Sequence, residues 1–305
     1  MKHSQRIQLV LHGKAAANPQ VRLAVQVARE EGYHVTVRVT WEAGDGRELA
    51  REAVRAGVDT VVAAGGDGLL NEVLNGVASC GLPARTALGL IPLGTANDFA
   101  SAHGIPVGDP LAALRLILDR SPRLIDVGLL NDRFFLNMAS GGYGTQVTVN
   151  TPDGMKSLLG GVSYLLSGLM ALPTLVPQKV ELQAPDWNWS GPILVLAVGN
   201  GKFAGGGVPL CSRASTEDGK LDVMVIPDVE YHELVSLLAD LLRLHLPKDG
   251  THFFYHQVPW LRMRSKEPFQ INLDGEPMHG TDFHWSVQAR QLRFYMPVPE
   301  RVVTP

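Results

Sequence analysis

A glycine-rich segment near residue 66 carries the residue types that bind phosphate. Gly65-Gly66-Asp67-Gly68 follows the apolar run Val61–Ala64 and precedes a helix-like sequence that begins at Leu69. Glycines let a backbone approach a ligand closely, and a helix N-terminus favours an anion. The order of strand, glycine turn and helix therefore predicts a phosphate-binding loop. Asp67 would repel a phosphate unless a cation or a hydroxyl donor lay between them.

A second segment, Pro92–Asp98, follows another strand-like run, Ala87–Ile91. Its Thr95, Asn97 and Asp98 are residues that also begin helices, so a capped helix and a ligand-binding turn are both open interpretations. Ligands of parallel sheets bind at the carboxyl ends of the strands. Because both segments follow strands, we expect them to share one crevice.

The glycine-rich stretch Gly199–Gly207 superficially resembles a dinucleotide-binding fingerprint. No helix-like sequence follows it, so the context that the fingerprint requires is missing. The pattern favours a loop against an interdomain cleft.

Two Asp-Gly pairs in the second half of the chain have two interpretations each. Asp218-Gly219 is either a turn before a strand or a loop that holds a hard cation such as Mg²⁺ or Ca²⁺ through one carboxylate and backbone carbonyls. Asp274-Gly275 with Glu276 is either a hairpin corner or a strand end that presents a carboxylate into a cleft.

Composition excludes several classes of function. The 305 residues have a net charge of −3, so no basic field attracts nucleic acid or anchors the chain to a membrane by charge. Cys80 and Cys211 form no metal-binding pattern, which predicts a cytoplasmic protein without disulfides. The sequence has no P-loop and no nucleophile elbow.

Two apolar segments bear on membrane association. The run Ile7–Leu11 is too short for the core of a signal peptide. The stretch Ser157–Val176 is interrupted by glycine, serine and Pro173, and a spanning helix needs about 20 mostly apolar residues. We expect a buried or interfacial helix there.

The first part of the chain alternates strand and helix patterns, which predicts an N-terminal doubly wound α/β domain with a parallel sheet. Predicted strands are Ile7–Leu11, Val35–Thr40, Asp59–Ala64, Ala87–Ile91 and Arg123–Leu129; predicted helices run from Pro19 to Glu31, from Asp45 to Gly57, from Leu69 and from Pro110 to Asp119.

After Leu130 the pattern changes to many strands with glycine- and proline-rich turns, which predicts a C-terminal β-sandwich domain. We place a nucleotide-binding domain at 1–128 and a lipid- and metal-binding domain at 129–295, and leave open whether 296–305 returns to the first. Predicted strands are Phe134–Ala139, Lys179–Gln183, Ile193–Val198, Leu221–Ile226, Gln270–Leu273, Phe283–Val287 and Leu292–Tyr295; predicted helices are Met155–Leu172 and Tyr231–His245.

Taken in order, these motifs resemble the diacylglycerol kinase catalytic-domain family. Two further strings narrow the resemblance to its bacterial lipid kinases, and it extends over nearly the whole chain. The segments that carry it are Leu11–Lys14, Val37–Glu42, Gly65–Gly68, Pro92–Phe99, Ile125–Gly128, Gly205–Gly207, Glu217–Gly219 and Asp274–Glu276.

The resemblance implies ATP-dependent phosphorylation of a lipid hydroxyl, of the phosphatidylglycerol or diacylglycerol type, in a cleft between the two domains. Glu276 would be the proton acceptor. A Mg²⁺ or Ca²⁺ ion would be held by Asp218 and the backbone carbonyls of Ser215 and Lys220. ATP would be bound by Thr40, Gly66, Asp67, Gly68, Leu69, Leu70, Asn71, Glu72 and Thr95.

Further expectations follow from the same resemblance. Asp67, Asp126 and Asp274 would complete a network of carboxylates, water and metal. Leu69 replaces the threonine that the family usually has after Gly-Gly-Asp-Gly, which removes one hydroxyl but leaves the backbone loop. Helix Met155–Leu172 would either line a lipid groove or cap the sandwich core.

The lipid substrate implies transient, peripheral contact with the inner face of the membrane. The alternatives are an NAD kinase-like phosphotransferase, because those enzymes also use a Gly-Gly-Asp-Gly turn, and a lipid or nucleotide sensor without catalysis.

Overall fold

The computed structural model describes residues 5–142, 177–243, 250 and 252–298. The predicted helix Met155–Leu172 lies outside these residues. The chain divides into two compact units. Unit 1 comprises residues 1–124 with 292–305, and unit 2 comprises residues 125–291. The first boundary lies a few residues before the predicted one, and the chain rejoins unit 1 at Leu292, earlier than residue 296.

Unit 1 is built on a parallel sheet with three largely buried strands rich in valine, alanine and leucine, as expected where helices cover both faces, and a fourth strand, at the edge, that is mostly exposed. The strands are β1 (Arg6–Leu11), β2 (His34–Val39), β3 (Thr60–Gly65) and β4 (Ala87–Pro92). They pair in the order β2-β1-β3-β4. Phe294, near the end of the chain, pairs with Leu88 of β4 and extends the sheet.

The helices of unit 1 are α1 (Pro19–Glu30), α2 (Asp45–Arg55), α3 (Asp67–Ala78), α4 (Asp98–His103) and α5 (Pro110–Asp119). Helices α1 and α5 pack in one apolar core with alternate residues of β1, β3 and β4. Helices α2 and α3 contact β1 and β3 from the remaining side. Asn18 caps α1 by accepting from two backbone N–H groups, with Pro19 in its first turn. This is the doubly wound α/β domain that the sequence predicted.

Unit 2 is a largely antiparallel β structure with one described helix. Its elements are β5 (Arg123–Leu130), β6 (Arg133–Phe135), β7 (Met138–Gly142), β8 (Gln178–Ala184), β9 (Trp187–Gly199), β10 (Leu221–Pro227), α6 (Tyr231–Leu242), β11 (Phe254–Val258), β12 (Trp260–Leu273) and β13 (Glu276–Phe294).

Strands β9 and β10 of unit 2 bury side chains on both faces. Val223 and Val225 of β10 join a core with β8, β12 and β13, which forms the interior of the sandwich. Met224 and Ile226 face the opposite way, into a second core that includes Leu234 and Leu241 of α6. This alternation follows from the two-residue period of a strand. No helix within the described residues is long and apolar enough to cross a membrane.

Two predicted strand patterns of unit 2 differ from the structure. The predicted strand Phe134–Ala139 is two strands, β6 and β7, because the intervening backbone bonds to a carboxylate and an asparagine instead of a ladder partner. The predicted strands Gln270–Leu273 and Phe283–Val287 are parts of the longer strands β12 and β13. A register irregularity between Arg264 and Phe269 interrupts their pairing, which is why the apolar pattern looked fragmented.

Candidate functional site

Unit 1 contains a cleft of about 1010 Å³ at the carboxyl ends of its strands. This is the position at which open parallel sheets bind ligands. The 3₁₀ turn after β1, the ends of β3 and β4, the start of α3 and the loop before α5 form its walls. The lining residues are His12, Lys14, Ala15, Ala17, Asn18, Pro19, Gln20, Gly65, Gly66, Gly68, Leu69, Pro92, Leu93, Gly94, Thr95, Asn97, Val107, Gly108 and Pro110. The two glycine segments share a crevice, as the sequence predicted.

The two segments meet backbone to backbone. A Cβ atom added to Gly94 would lie 2.5 Å from the Cα of Gly66, and one added to Gly66 would lie 3.1 Å from the Cα of Gly94. The N–H of Leu93 also donates to the carbonyl of Gly65 at 2.9 Å. Glycine is therefore required at position 94, where a Cβ would clash with backbone, and a Cβ at position 66 would fit only if the facing turn moved slightly.

Asp67 joins the first segment to the helix that follows the second. Its carboxylate accepts from the backbone N–H groups of Asp98 at 3.0 Å and Phe99 at 3.1 Å, at the start of α4. Asn97, with φ +51°, closes the second turn, because its side chain accepts from the N–H of Gly94 and donates to the carbonyl of Gly94. The negative charge of Asp67 is thus stabilised at the start of α4. A helix does follow Pro92–Asn97, but Asn97 makes no side-chain cap bond to it, and Asp67 accepts from its first N–H groups instead.

The start of α3 offers backbone donors to the cleft. Its N-cap residue, Gly66, has no side chain, so no side-chain cap bond occupies the first-turn N–H groups. Lys14, another lining residue, adds an exposed ammonium group, and no carboxylate of the described residues lines the cleft. Helix dipole and ammonium both favour an anion there. The side chain of Leu69 is buried between Gly46 and Gly65, so this position contributes backbone and apolar packing.

Several residues of the resemblance-based nucleotide set have side chains directed elsewhere. Thr40 is buried, and its hydroxyl accepts from the N–H of Gly13 at 3.2 Å. Leu70 is buried in the core, and Asn71 accepts from the side chain of Asn75, one turn later on α3. The carboxylate of Glu72 accepts from the N–H groups of Gly44 and Gly46, where α2 begins. Of the residues that the resemblance assigns to nucleotide binding, Gly66, Gly68, Leu69 and Thr95 line the cleft. The two glycines can contribute only their backbone.

The Asp274-Gly275 pair forms the two-residue turn of the β12–β13 hairpin. Both residues have positive φ, +47° and +100°, and Leu273 pairs with Glu276 across the turn. These are the features of a type I′ turn, for which Asp-Gly is a favoured sequence. The carboxylate of Asp274 accepts from the backbone N–H groups of Leu136, Asn137 and Met138 at 2.9–3.1 Å. The hairpin corner is therefore anchored to the segment between β6 and β7.

The carbonyls of that segment are bound from the other side by Asn200. Its side-chain amide donates to the carbonyl of Leu136 at 3.0 Å, and the N–H groups of Asn200 and Gly201 donate to the carbonyl of Asn137. Residues 136–138 are thus held on both edges. The stretch Gly199–Gly207 is a turn region without a helix and serves as part of this support.

Glu276 follows the anchored turn and is about half exposed. Its Oε2 lies 3.3 Å from Nη1 of Arg133, whose side chain is also about half exposed. An exposed pair of this kind contributes about 0.2–1 kcal/mol to stability. The pair orients the carboxylate of Glu276 while leaving it accessible to solvent.

The predicted cation loop 215–220 in unit 2 is held by a buried carboxylate. Asp126 accepts from the N–H of Gly219 and from that of Arg290, both at 2.7 Å, and its own N–H donates to the carbonyl of Thr216. Asp218 at the tip of the loop is exposed and accepts from the N–H of Lys220 at 3.1 Å. The loop therefore presents one accessible carboxylate on a fixed backbone.

A second buried acid lies at the start of β10, beside this loop. Burial raises the pKa of Asp222 to about 6, and donation from Tyr255 and Gln257 opposes part of that rise. The hydroxyl of Tyr255 donates to Asp222 at 2.7 Å. Burial also raises the pKa of Tyr255 well above its ordinary value, so the phenol stays a donor.

A hard divalent cation fits the donor set of the 215–220 loop. One exposed carboxylate, further backbone oxygens and the nearby charge of Asp222 suit Mg²⁺ or Ca²⁺. The described residues contain no cluster of three or more histidine, cysteine, aspartate or glutamate side chains arranged for a metal. A cation at this loop would therefore take most of its ligands from backbone oxygens and water.

Part of the cleft lining was not predicted as a separate binding element. His12 and Lys14 lie in a string that supported the resemblance, but nothing in its spacing predicted that it lines the cleft. Val107 and Gly108 lie before α5, Pro110 is its first residue, and none of the three carries a chemical signature. The partner of Glu276, Arg133, was also missed, because an ion pair between residues 143 positions apart leaves no local pattern.

Comparisons with known proteins define the class to which this fold belongs. The model of the diacylglycerol kinase catalytic domain matches residues 8–130. The model of the YegS C-terminal NAD kinase beta sandwich-like domain matches residues 137–296. Together these matches cover both units.

Relatives and solved structures agree with these matches. A protein of Pseudomonas aeruginosa (strain UCBPP-PA14) named "Probable lipid kinase YegS-like" is 45% identical over 96% of this chain and 94% of its own length. A Chromohalobacter salexigens protein with the same name is 44% identical over 95% of this chain and 93% of its own length. The chain belongs to the family of YegS-like proteins that combine a diacylglycerol kinase catalytic domain with this C-terminal domain.

The fold is also found in a solved structure of a diacylglycerol kinase from Bacillus anthracis str. Sterne. That chain has a TM-score of 0.74 and 21% identity, with 96% of this chain and 97% of the other covered. A second solved chain from the same strain has a TM-score of 0.81 at 23% identity. The architecture of an α/β domain followed by a β-sandwich domain is therefore established for this chain.

Proposed function

We propose that this chain is an ATP-dependent lipid kinase that phosphorylates a lipid hydroxyl of the phosphatidylglycerol or diacylglycerol type. The observation that carries the proposal is the cleft of unit 1, where the uncapped start of α3 and the ammonium group of Lys14 border one space. Such a site suits the phosphates of a nucleotide. The relatives' lipid kinase names support the acceptor class.

Phosphate binding would rest on the backbone. The N–H groups of Gly66, Gly68 and Leu69 would hold the nucleotide phosphates, and Lys14 and the hydroxyl of Thr95 would add side-chain contacts. The packing of Gly66 against Gly94 holds this backbone in place before a ligand arrives. Pre-positioned donors matter because phosphoryl transfer asks a protein mainly for orientation and neutralisation of charge.

Glu276 would accept the proton from the lipid hydroxyl. A positioned general base contributes about 10²–10⁴-fold to rate. The Asp274 anchor and the Arg133 pair support this role, because they hold the carboxylate of Glu276 at a fixed position on the hairpin.

Asp218, with the backbone carbonyls of Ser215 and Lys220, would hold Mg²⁺ or Ca²⁺. When bound, the cation supplies positive charge to the acidic surroundings of the loop. Asp126 would act through the backbone, since its carboxylate already accepts from Gly219 and Arg290. Asp67 and Asp274 would likewise position backbone elements within their own units.

The proposed setting is the cytoplasm, with peripheral and transient contact at the inner face of the membrane. Cys80 and Cys211 are both free, which suits a reducing compartment. A lipid acceptor makes access to the membrane surface necessary.

Two other functions retain specific support. The matched C-terminal model is described as NAD kinase-like, which supports an NAD kinase-like phosphotransferase. A lipid or nucleotide sensor is supported by Leu69, which replaces a hydroxyl with a buried apolar group. The lipid kinase accounts better for Glu276, because a sensor has no need of a general base.

A radiolabelled-ATP assay separates these functions. The purified chain is incubated with Mg²⁺ and labelled ATP in the presence of phosphatidylglycerol, diacylglycerol, sphingoid bases or NAD. We expect label in an extracted phospholipid product. Label in NAD would identify the phosphotransferase alternative, and ATP binding without labelled product or lipid-dependent ADP release would identify the sensor.

A further inference from the structure

Trp41 stands out because its large apolar side chain is 96% exposed. An exposed indole loses the favourable burial that its size would provide, so a position that retains one suggests a partner for the ring. The residue comes directly after Thr40, beyond the end of β2. Its surroundings in unit 1 indicate what that partner is.

The backbone that carries Trp41 is fixed by two carboxylates. Asp45 accepts from the N–H of Trp41 at 2.6 Å and from that of Glu42 at 3.0 Å. Donation from the N–H groups of Glu42 and Trp41 lowers the pKa of Asp45, so both bonds stabilise its ionised form. At the other end of the turn, the carboxylate of Glu72 on α3 accepts from the N–H groups of Gly44 and Gly46. The exposed ring is therefore displayed on an ordered turn.

The residues on either side of this turn contact the walls of the cleft described above. On one side Thr40 packs on Gly13, where an added Cβ would lie 2.5 Å from the carbonyl oxygen of Thr40. Gly13 is flanked by His12 and Lys14, which line the cleft. On the other side Gly46 packs against Leu69, also a lining residue. Thr40 and Gly46, which flank the turn from Trp41 to Asp45, thus contact Gly13 and Leu69, while the turn itself is not among the lining residues.

We infer that Trp41 stacks on the base of the nucleotide whose phosphates lie at the start of α3. The inference rests on the proposed function, and it adds the element that recognises the base. Stacking on an aromatic ring suits any purine or pyrimidine, because every base has a π-face. Trp41 therefore makes the site bind a nucleotide more tightly than phosphate alone, and it discriminates little between different bases.

A lipid surface is the other partner that an exposed tryptophan often meets. The charges around Trp41 oppose it. Glu42 and Asp45 lie on the same turn. On the first turns of α2, Glu48 is paired with Arg51 and Arg47 is exposed, so the negative charge beside the ring comes from Glu42 and Asp45. Anionic lipids give membrane surfaces a negative potential that repels carboxylates. A neutral, flat base suits this position better.

The test is calorimetric binding of MgADP and of inorganic tripolyphosphate to the full chain and to three variants. Trp41→Ala should weaken ADP binding about 5- to 150-fold, the equivalent of about 1–3 kcal/mol for loss of one base–aromatic stack. Its affinity for tripolyphosphate should be unchanged. Trp41→Phe should keep ADP affinity to within a few fold. Leu23→Ala, which also removes an exposed apolar group (54% exposed), should bind both ligands as the wild type does.

Each contrary result has a distinct meaning. Equal loss of ADP and tripolyphosphate affinity in Trp41→Ala would overturn the inference, because the residue would then act through the phosphate site. Unchanged ADP binding with loss of sedimentation on phosphatidylglycerol vesicles would overturn it in favour of a membrane contact. A wild-type chain that binds no nucleotide would overturn the proposed function and this inference together.

Discussion

Replacement of Asp222 by asparagine should stabilise the chain above pH 6. Asp222 is fully buried at the start of β10 and accepts from Tyr255 and Gln257. Burial raises its pKa from 3.8 to about 6, so the native state binds the proton more tightly than the unfolded state does. Native stability should therefore fall as pH rises from about 4 to 6, and the cost of a buried charge is fully present above pH 6.

The size of the effect follows from the pKa difference. A tenfold change in proton affinity is worth about 1.4 kcal/mol, so a pKa raised from 3.8 to about 6 corresponds to about 3 kcal/mol at neutral pH. Asparagine is neutral at every pH and keeps an oxygen that can accept from Tyr255. The advantage of Asp222→Asn over the wild type should grow by up to about 3 kcal/mol between pH 4 and pH 8.

Urea denaturation in EDTA at several pH values measures this advantage without a contribution from bound metal. Asp228→Asn, an exposed acid in the same unit, serves as the control and should change stability by less than about 0.5 kcal/mol. A difference between Asp222→Asn and wild type that stays constant from pH 4 to pH 8 would refute the assignment of a raised pKa to this residue.

Three further changes address the proposed chemistry. Glu276→Gln should keep its circular dichroism spectrum and lose about 10²–10⁴-fold in lipid-dependent ADP release; near wild-type turnover would remove Glu276 from the base role. Asp218→Ala should lower the bound Mg²⁺ or Ca²⁺ measured by atomic emission and lower activity, whereas Asp228→Ala should do neither; unchanged metal content would contradict the loop assignment. Gly94→Ala places a Cβ 2.5 Å from the Cα of Gly66, so ADP binding measured by calorimetry should weaken at least tenfold. Wild-type affinity in that variant would mean that the two turns can separate freely.

The local sequence pattern was sufficient to predict most of the helices and strands of unit 1. Strands β3 and β4 are nearly continuous apolar runs between turn residues, and β2 alternates apolar and polar residues. Asn18-Pro19 and Asp109-Pro110 each mark a helix start that the structure contains. The type I′ turn at Asp274-Gly275 was likewise one of two interpretations of a strong local signal. Such features depend on neighbours in sequence, which is why they could be predicted.

The hydrogen-bond partners of the carboxylates could not be predicted from local sequence. Asp67, Asp126 and Asp274 were expected in a metal network, and each accepts from backbone N–H groups distant in sequence. Glu72 was placed with the nucleotide and instead holds the start of α2. A carboxylate satisfied by backbone donors and one that binds a cation look identical in a sequence, because the choice depends on which peptide groups the fold brings within reach.

The contact between Gly66 and Gly94 has a consequence for protein engineering. A side chain at position 94 would push the two turns apart and one at position 66 would be crowded, so random mutagenesis of these glycines should yield mostly inactive clones. Libraries meant to change the preference for the nucleotide should diversify Lys14 and Thr95, which line the cleft and have exposed side chains.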